Sequence, residues 1–257
     1  MHAAERERLI FAAMGQAGFV SYRDLEALLD ASPATIRRDL TRLEEARRIQ
    51  RVHGGAKLAE AESPAPFQLA GTPFDQSITQ NPGQKQAIGR LAASLCEPGA
   101  GVMIDGGTTT LQMCPHLAGL GLQVLTNSLH IVNALLPQPG TRILLPSGTL
   151  FREQNIILAP AGEESMPRFH APRLFMGAAA VGAQGAMQHD VILVAAERRL
   201  IDRAEEVILL VDSSKFASSS GAIVCALDEI DVLITDAGIA PEMAATIKGA
   251  GVRLMIA

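Results

Sequence analysis

Eight short apolar runs recur from about Gln84 to the last residue, and between them the hydrophobic residues shift to helical spacing. The runs are AGVMID, LQVLT, RILLP, RLFMGA, EVILLVD, AIVCAL, VLITD and VRLMIA. Strand-like runs that alternate with helical segments favour a parallel sheet with helices on its faces. The larger part of the chain is therefore expected to be an α/β domain with a mainly parallel sheet. No internal repeat or low-complexity segment interrupts it.

The 257 residues allow one large domain, or a small one followed by a medium one. Hydrophobic residues make up 48%, enough for a sizeable core. No apolar run approaches the roughly 18–20 residues that span a bilayer. The opening MHAAERERLIFAAMG carries acidic residues beside a short apolar stretch, which fits an amphipathic helix and not a signal peptide. Cys96, Cys114 and Cys225 lie far apart without CxxC spacing. They are expected to be buried free thiols of a cytoplasmic protein, with no disulfide framework, metal site or cofactor.

Charge is distributed unevenly. Met1 to Leu58 hold 10 Lys and Arg against 8 Asp and Glu, whereas Ala59 to Ala257 hold 12 against 19. Five arginines fall between Arg37 and Arg48, although the formal net charge of the chain is −5. Only the first segment is suited to a polyanion. Within it, a first helix is expected from about Ala4 to Gly15, with Leu9, Ile10 and Ala13 on one face, and a break follows at Gly15 to Gly18. Ser21 is placed to cap a second helix striped by Leu25, Leu28 and Leu29. After the tight turn Asp30-Ala31-Ser32, Ser32 can cap a third helix with Pro33 at its first position. Ile36, Leu40 and Leu43 then make the inward face. Two short strands should follow, joined at His53-Gly54-Gly55.

Two helices across a tight turn and a trailing hairpin fit a winged helix-turn-helix. Such a module presents the first turns of its last helix to the DNA major groove. Here those turns carry Thr35, Arg37 and Arg38. Arginine bonds guanine in bidentate fashion or clamps a phosphate. Arg51, His53 and Lys57 would lie on the wing. The competing possibility is a solvated face on which Arg38, Arg42 and Arg48 pair with Asp39, Glu44 and Glu45.

The stretch SPATIRRDLTRLEEARRIQRVHGGA, Ser32 to Ala56, closely resembles the N-terminal signature of the DeoR family of bacterial transcription regulators, and the resemblance continues through nearly the whole chain. It implies DNA-binding roles for Ser32, Thr35, Arg37, Arg38, Arg51, His53 and Gly54. A composition break after Leu58, with prolines and little periodicity, separates residues 1–58, a small winged helix-turn-helix domain, by a linker over 59–78 from 79–257, to which the resemblance gives an effector-sensing and oligomerising role.

In that second domain, VMIDGGTTTLQM sets a glycine pair and three threonines between a strand and an expected helix, where backbone N–H groups and hydroxyls suit a phosphate. No GK[ST] follows, so this is not a Walker loop. Pro115 should end or kink the helix early. Leu125–Ser128, Leu145–Leu150 and Val211–Phe216 are expected to join it at the carboxyl ends of the strands. Lys215 is read as a neutralising cation, and Lys85 as a solvated residue at a helix start.

The resemblance implies a fold like ribose-5-phosphate isomerase and a phosphorylated sugar as effector. Asp105, Gly106, Gly107, Thr108, Thr109 and Thr110 would surround the phosphate. Thr126, Asn127, Gly148, Gly177 and Lys215 would surround the rest. The chain departs from the family pattern at Ser147-Gly148 and at MGAAAVG, Met176 to Gly182, which offers no polar side chain to a sugar. A repressor of carbohydrate-related genes, bound as a dimer or tetramer to double-stranded operator DNA, is the function implied. The alternative is a sugar-phosphate isomerase with a DNA-binding appendage. It lacks support because isomerisation needs a positioned acid and base, and the alanines after that strand cannot move a proton. Effector signals would pass through the helix opened by GGTTT.

Overall fold

A computed structural model describes residues 2–14, 19–45, 49–52, 54–58, 71–158 and 167–257. The chain divides into two compact units, Met1–Pro66 and Phe67–Ala257.

The first unit runs α1 (Ala3–Met14), β1 (Phe19–Ser21), α2 (Tyr22–Leu28), α3 (Pro33–Glu45), β2 (Ile49–Val52) and β3 (Gly55–Leu58). The Ser21 hydroxyl accepts the Asp24 N–H at 3.1 Å and the Asp24 carboxylate accepts the Ser21 N–H at 3.3 Å, a reciprocal cap that starts α2. The Ser32 hydroxyl accepts the Thr35 N–H at 3.2 Å, and Pro33 opens α3 at no hydrogen-bonding cost. Ile36, Leu40 and Leu43 meet Ile10, Met14 and Leu25 in one core. Leu28, expected in the stripe of α2, is instead 46% exposed: it is at the last helical residue, and Leu29 turns inward in its place. β1 is a strand that the sequence did not announce. It pairs antiparallel with β3, which also pairs antiparallel with β2.

The second unit opens with α4 (Phe74–Ser77) and α5 (Pro82–Ala93). Then come β4 (Gly101–Ile104), β5 (Gln123–Leu125), α6 (Leu129–Leu135), β6 (Arg142–Leu144), β7 (Thr149–Phe151) and β8 (Ile156–Leu158). The chain continues with β9 (Ala171–Met176), β10 (Ala180–Gly182), β11 (Gly185–Gln188), α7 (Val191–Ile201) and β12 (Ala204–Leu210). It ends with β13 (Ala222–Cys225), β14 (Val232–Thr235), α8 (Pro241–Gly249) and β15 (Arg253–Ile256). Seven strands form one parallel sheet in the order β15-β14-β12-β9-β4-β5-β6.

Alternate residues of each central strand enter different cores. Met103, Leu174, Met176 and Leu209 pack with Leu200, Ile201 and Ile247, whereas Ile104, Phe175, Ile208 and Leu210 pack with Ile88, Ile131 and Leu135. Strands buried on both faces read as unbroken apolar runs, and this accounts for the pattern in the sequence.

Three features differ from expectation. AIVCAL forms β13, which stays outside the main sheet and pairs antiparallel with β11 in a small sheet β10-β11-β13. Its local pattern matches the other runs, and only its tertiary partner sets it apart. The helix expected after GGTTT is a 3-10 turn, Thr110–His116, with Pro115 inside. The Thr110 hydroxyl bonds the carbonyls of Asp105 and Gly107 at 2.8 and 3.0 Å and tightens its start. Of the expected linker, residues 59–70 lie outside the described residues, while 71–78 belong to the second unit. There Phe74 is buried and stacked on His130 with ring centroids 3.8 Å apart, and its N–H donates to the Glu153 carbonyl at 2.9 Å.

Burial at the two leucines separates core from surface in the first unit. Leu40→Ala should cost about 2–5 kcal/mol of that unit's stability. Leu28→Ala should change it by no more than about 0.5 kcal/mol. Urea denaturation of both variants checks the difference, and equal losses would refute the packing described.

Candidate functional site

Two arrangements stand out, one in each unit. In the first, the IRRDL segment of α3 splits by direction. Ile36 and Leu40 point into the core, and Asp39 is buried as well, with its carboxylate accepting from Arg6 at 2.6 Å. Arg42 lies 3.7 Å from Asp39 and 3.4 Å from Glu7. Arg37 and Arg38 are exposed, and their guanidiniums have no partner among the described residues. The ion-paired face is thus real for Arg42 but does not include Arg38; Arg48 lies outside the described residues. Ser32 and Thr35 join hydroxyls at 2.9 Å on the same first turn.

On the wing, Arg51 is exposed, but its guanidinium donates to the Thr41 hydroxyl at 3.0 Å and its N–H to Glu44 at 2.9 Å. Gly54 adopts φ +89°, the left-handed region that the turn requires, and its carbonyl accepts the Tyr22 N–H at 2.9 Å. His53 and the Lys57 side chain lie outside the described residues.

In the second unit, a cleft of about 140 Å³ with mixed polar and apolar walls opens at the carboxyl ends of the neighbouring strands β4, β9 and β12. Open α/β sheets bind ligands at this edge. The volume is small beside the roughly 300–1,000 Å³ of drug-sized sites and suits a small metabolite. Asp105, Gly106, Gly107, Thr108 and Thr109 form one wall after β4, Gly177 follows β9, and Lys215 follows β12.

Four residues expected at the ligand stand behind that wall or away from it. Asn127 is buried; its carbonyl accepts the Gly106 N–H at 2.9 Å and its amide donates to Asp105 at 3.0 Å. It shapes the loop from behind. Only glycine fits at Gly106, because a Cβ there would stand 2.6 Å from Ile156 and 3.1 Å from Asn127. Thr126 accepts the Ser128 N–H at 3.2 Å, and Thr110 bonds the carbonyls named above; both are buried and off the cleft. Gly148 is also off it, and the β7–β8 hairpin reaches the cleft through Gln154 and Ile156 instead.

Lys85 is not solvated. It is buried and donates to the Ser77 carbonyl at 2.6 Å. Burial lowers its pKa, Asp212 nearby opposes that, and Lys215 adds to it. Asp212 accepts from the Ser214 N–H at 3.1 Å and from Asn81 at 3.0 Å, and so holds the turn that carries Lys215.

The cleft also holds groups that were not foreseen: Thr72, Ser77 and Gln80 from the segment around α4, and Gln188, His189 and Glu197 around α7. Glu197 had a signal in VILVAAERRLI. It lies three and four residues before Leu200 and Ile201, on the buried face of an amphipathic helix, where a carboxylate is costly. Burial pushes Asp105 up to about 6, against the hydrogen bond from Asn127. Glu197 is raised well above the ordinary glutamate value by burial and by Asp105, against its hydrogen bond to Gln188.

Similarity to known proteins covers both units. Residues 6–62 match the DeoR-like helix-turn-helix domain, and residues 80–237 match the DeoR C-terminal sensor domain. The HTH-type transcriptional regulator UlaR of Escherichia coli O127:H6 (strain E2348/69 / EPEC) is 29% identical over 255 residues, covering 99% of each chain. UlaR of Shigella boydii serotype 18 (strain CDC 3083-94 / BS512) is also 29% identical over that span. Among solved structures, ribose 5-phosphate isomerase A from Methanocaldococcus jannaschii matches 53% of this chain and 55% of its own, with 15% identity and a TM-score of 0.39. eIF2B delta from Chaetomium thermophilum matches 55% and 52%, with 17% identity and a TM-score of 0.39. The chain thus spans about half the length of these solved structures.

The buried acids give the second unit a defined pH response. A carboxyl whose folded pKa is raised binds its proton more tightly folded than unfolded, so stability falls as pH rises between the two values. For Asp105 that window runs from the ordinary 3.8 to about 6. At one unit per about 1.4 kcal/mol, the loss is roughly 2–4 kcal/mol once the window is passed. Denaturant titrations at pH 4.5 and 7 should show the unit less stable at the higher pH. Asp105→Asn should make the fall shallower, with Glu197 supplying what remains. Stability that is flat or rising over that interval would contradict the burial of these acids.

Proposed function

The chain belongs to the DeoR family and is a DNA-binding transcription regulator with a C-terminal sensor domain, not an enzyme; on that premise we propose that it is a cytoplasmic repressor of carbohydrate-related genes whose operator binding is modulated by a phosphorylated sugar in the cleft. One observation carries the proposal: Gly106–Thr109 and Lys215, from the ends of different strands, line one small cleft. Backbone N–H groups and threonine hydroxyls supply donors to a phosphate, and a lysine neutralises it. Asp105 on the same wall is held by Asn127, so its carboxylate serves the loop.

On DNA, Arg37 and Arg38 are the groups free to reach base edges or phosphates. Ser32, Thr35 and the wing around Arg51, His53 and Gly54 position the helix on the backbone. A single module of this size reads few base pairs, so the operator is bound by a homodimer or homotetramer.

Coupling needs a ligand that binds two states with different affinity. The cleft is lined by Thr72, Ser77 and Gln80, which directly follow the junction of the two units in sequence. A ligand there acts on the segment that leads to the DNA-binding unit. This is a more direct route than the 3-10 turn after GGTTT.

The ligand half is tested by a thermal-shift screen of sugar phosphates, in which a ligand at 100 times its Kd adds about 2.7 kcal/mol of stability. Lys215→Ala and Thr109→Val should each diminish the shift from the strongest binder. Retention of the full shift in both would move the phosphate to other residues. For the DNA half, an operator selected from random duplexes should lose roughly 1–3 kcal/mol of affinity on Arg38→Ala if the contact is bidentate to a base. Unchanged affinity would remove Arg38 from the interface.

A further inference from the structure

The MGAAAVG segment offers no polar side chain to a sugar, yet the same side of the cleft is not apolar. Gln188 at the end of β11 and Glu197 on α7 both reach it. Glu197 is only 4% exposed. Its Oε1 accepts from the Gln188 amide at 2.6 Å, while its Oε2 is buried and has no hydrogen-bond partner among the described residues. A buried polar atom without a partner is costly, and on a side chain that lines a cleft it is explained most simply by a ligand that satisfies it.

We propose that Glu197 is a specificity-determining residue of the sensor cleft, donating a hydrogen bond from Oε2 to an oxygen of the polyhydroxy part of the effector. The inference rests on the reading of the cleft as a sugar-phosphate site. Its chemistry follows from what surrounds the carboxyl. Asp105 approaches from the end of β4 and repels a second negative charge, and Cys225 lies close enough to interact with it. His189 and Lys215 line the same cleft. Burial beside another acid favours the protonated form of Glu197. A protonated carboxyl has one donating oxygen. In that form Oε1 accepts from Gln188, so the donating oxygen is Oε2, the atom that lacks a partner. A carboxyl repels an anion whenever it ionises, so it is a poor partner for a phosphate dianion, which belongs with Lys215 and the Gly106–Thr109 loop. It suits a hydroxyl or carbonyl oxygen of the sugar, which turns a general phosphate site into a selective one.

Isothermal titration of the full-length protein separates the two roles. The probes are inorganic phosphate and a panel of pentose and hexose phosphates, measured on the unmodified protein, Glu197→Ala and Glu197→Gln. The panel member bound most tightly should exceed inorganic phosphate in affinity. Glu197→Ala should cut that preference about tenfold, the scale of one hydrogen bond, and leave inorganic phosphate unchanged. Glu197→Gln keeps an acceptor for Gln188 and places an N–H donor at the second position, so it should hold the preference within about threefold. An undiminished preference in Glu197→Ala overturns the proposal. So does a loss in Glu197→Gln as large as in Glu197→Ala, because the oxygen would then be an acceptor. If the unmodified protein binds phosphate but prefers no sugar phosphate, the proposal again fails while the phosphate site stands. Binding of neither probe refutes the phosphate site, and this inference with it.

Discussion

A parallel sheet covered on both faces leaves nowhere along its strands for polar chemistry. In the second unit, Leu174 and Met176 enter one core while Phe175 enters the other, and the same alternation holds at β4 and β12. The central residues of these strands are therefore committed to packing. The groups that can recognise a ligand are displaced to the loops where strands end, and the cleft forms where three neighbouring strands, β4, β9 and β12, end together. The loop after β4 can bend into that space because Gly106 lacks a side chain and Asn127 holds its backbone from behind. Asn127, which does not line the cleft, thus helps to decide its shape.

The first unit solves a similar problem on a smaller scale. Its last helix must be anchored and also present cations outward. Asp39 does the anchoring through Arg6 and Arg42, so the negative charge within IRRDL is consumed internally. Arg37 and Arg38 keep their charge for solvent or for DNA. Of the five arginines between Arg37 and Arg48, this division accounts for Arg37, Arg38 and Arg42, while Arg47 and Arg48 lie outside the described residues.

Much of this was legible in the sequence. The caps at Ser21 and Ser32, the core stripe Ile36-Leu40-Leu43 and seven of the eight apolar runs follow from local periodicity and capping chemistry. β13 was not separable from the sheet strands, because an apolar run does not say which strand it will pair with. The short strands β7, β8, β10 and β11 rest on long-range pairing and carry little local signal. At the site, the residues directly after β4 and the lysine after β12 were legible as strand-end polar groups. Asn127 and Thr126 were recognised as polar residues after a strand, but whether such a group faces the ligand or supports the loop depends on partners such as Asp105 and Gly106. Lys85 reads as solvated for the same reason: its burial and its hydrogen bond come with the segment carrying Ser77, whose composition is that of a linker. Gln188 and Glu197 come from elements whose approach to the cleft is set by tertiary packing alone.

Control of operator binding by an effector requires the cleft and the DNA-reading helix to be energetically coupled. Linkage requires that coupling to be reciprocal: an operator that responds to the ligand must change ligand affinity by the same factor. The most direct test is calorimetric titration of the tightest-binding sugar phosphate into the full-length protein, free and saturated with its operator duplex. The expected result is a change in ligand affinity of about five- to 150-fold, matching the change in operator affinity that the ligand causes. Equal ligand affinities for the free and operator-bound protein would contradict the account, because a ligand indifferent to the DNA-bound state cannot regulate it.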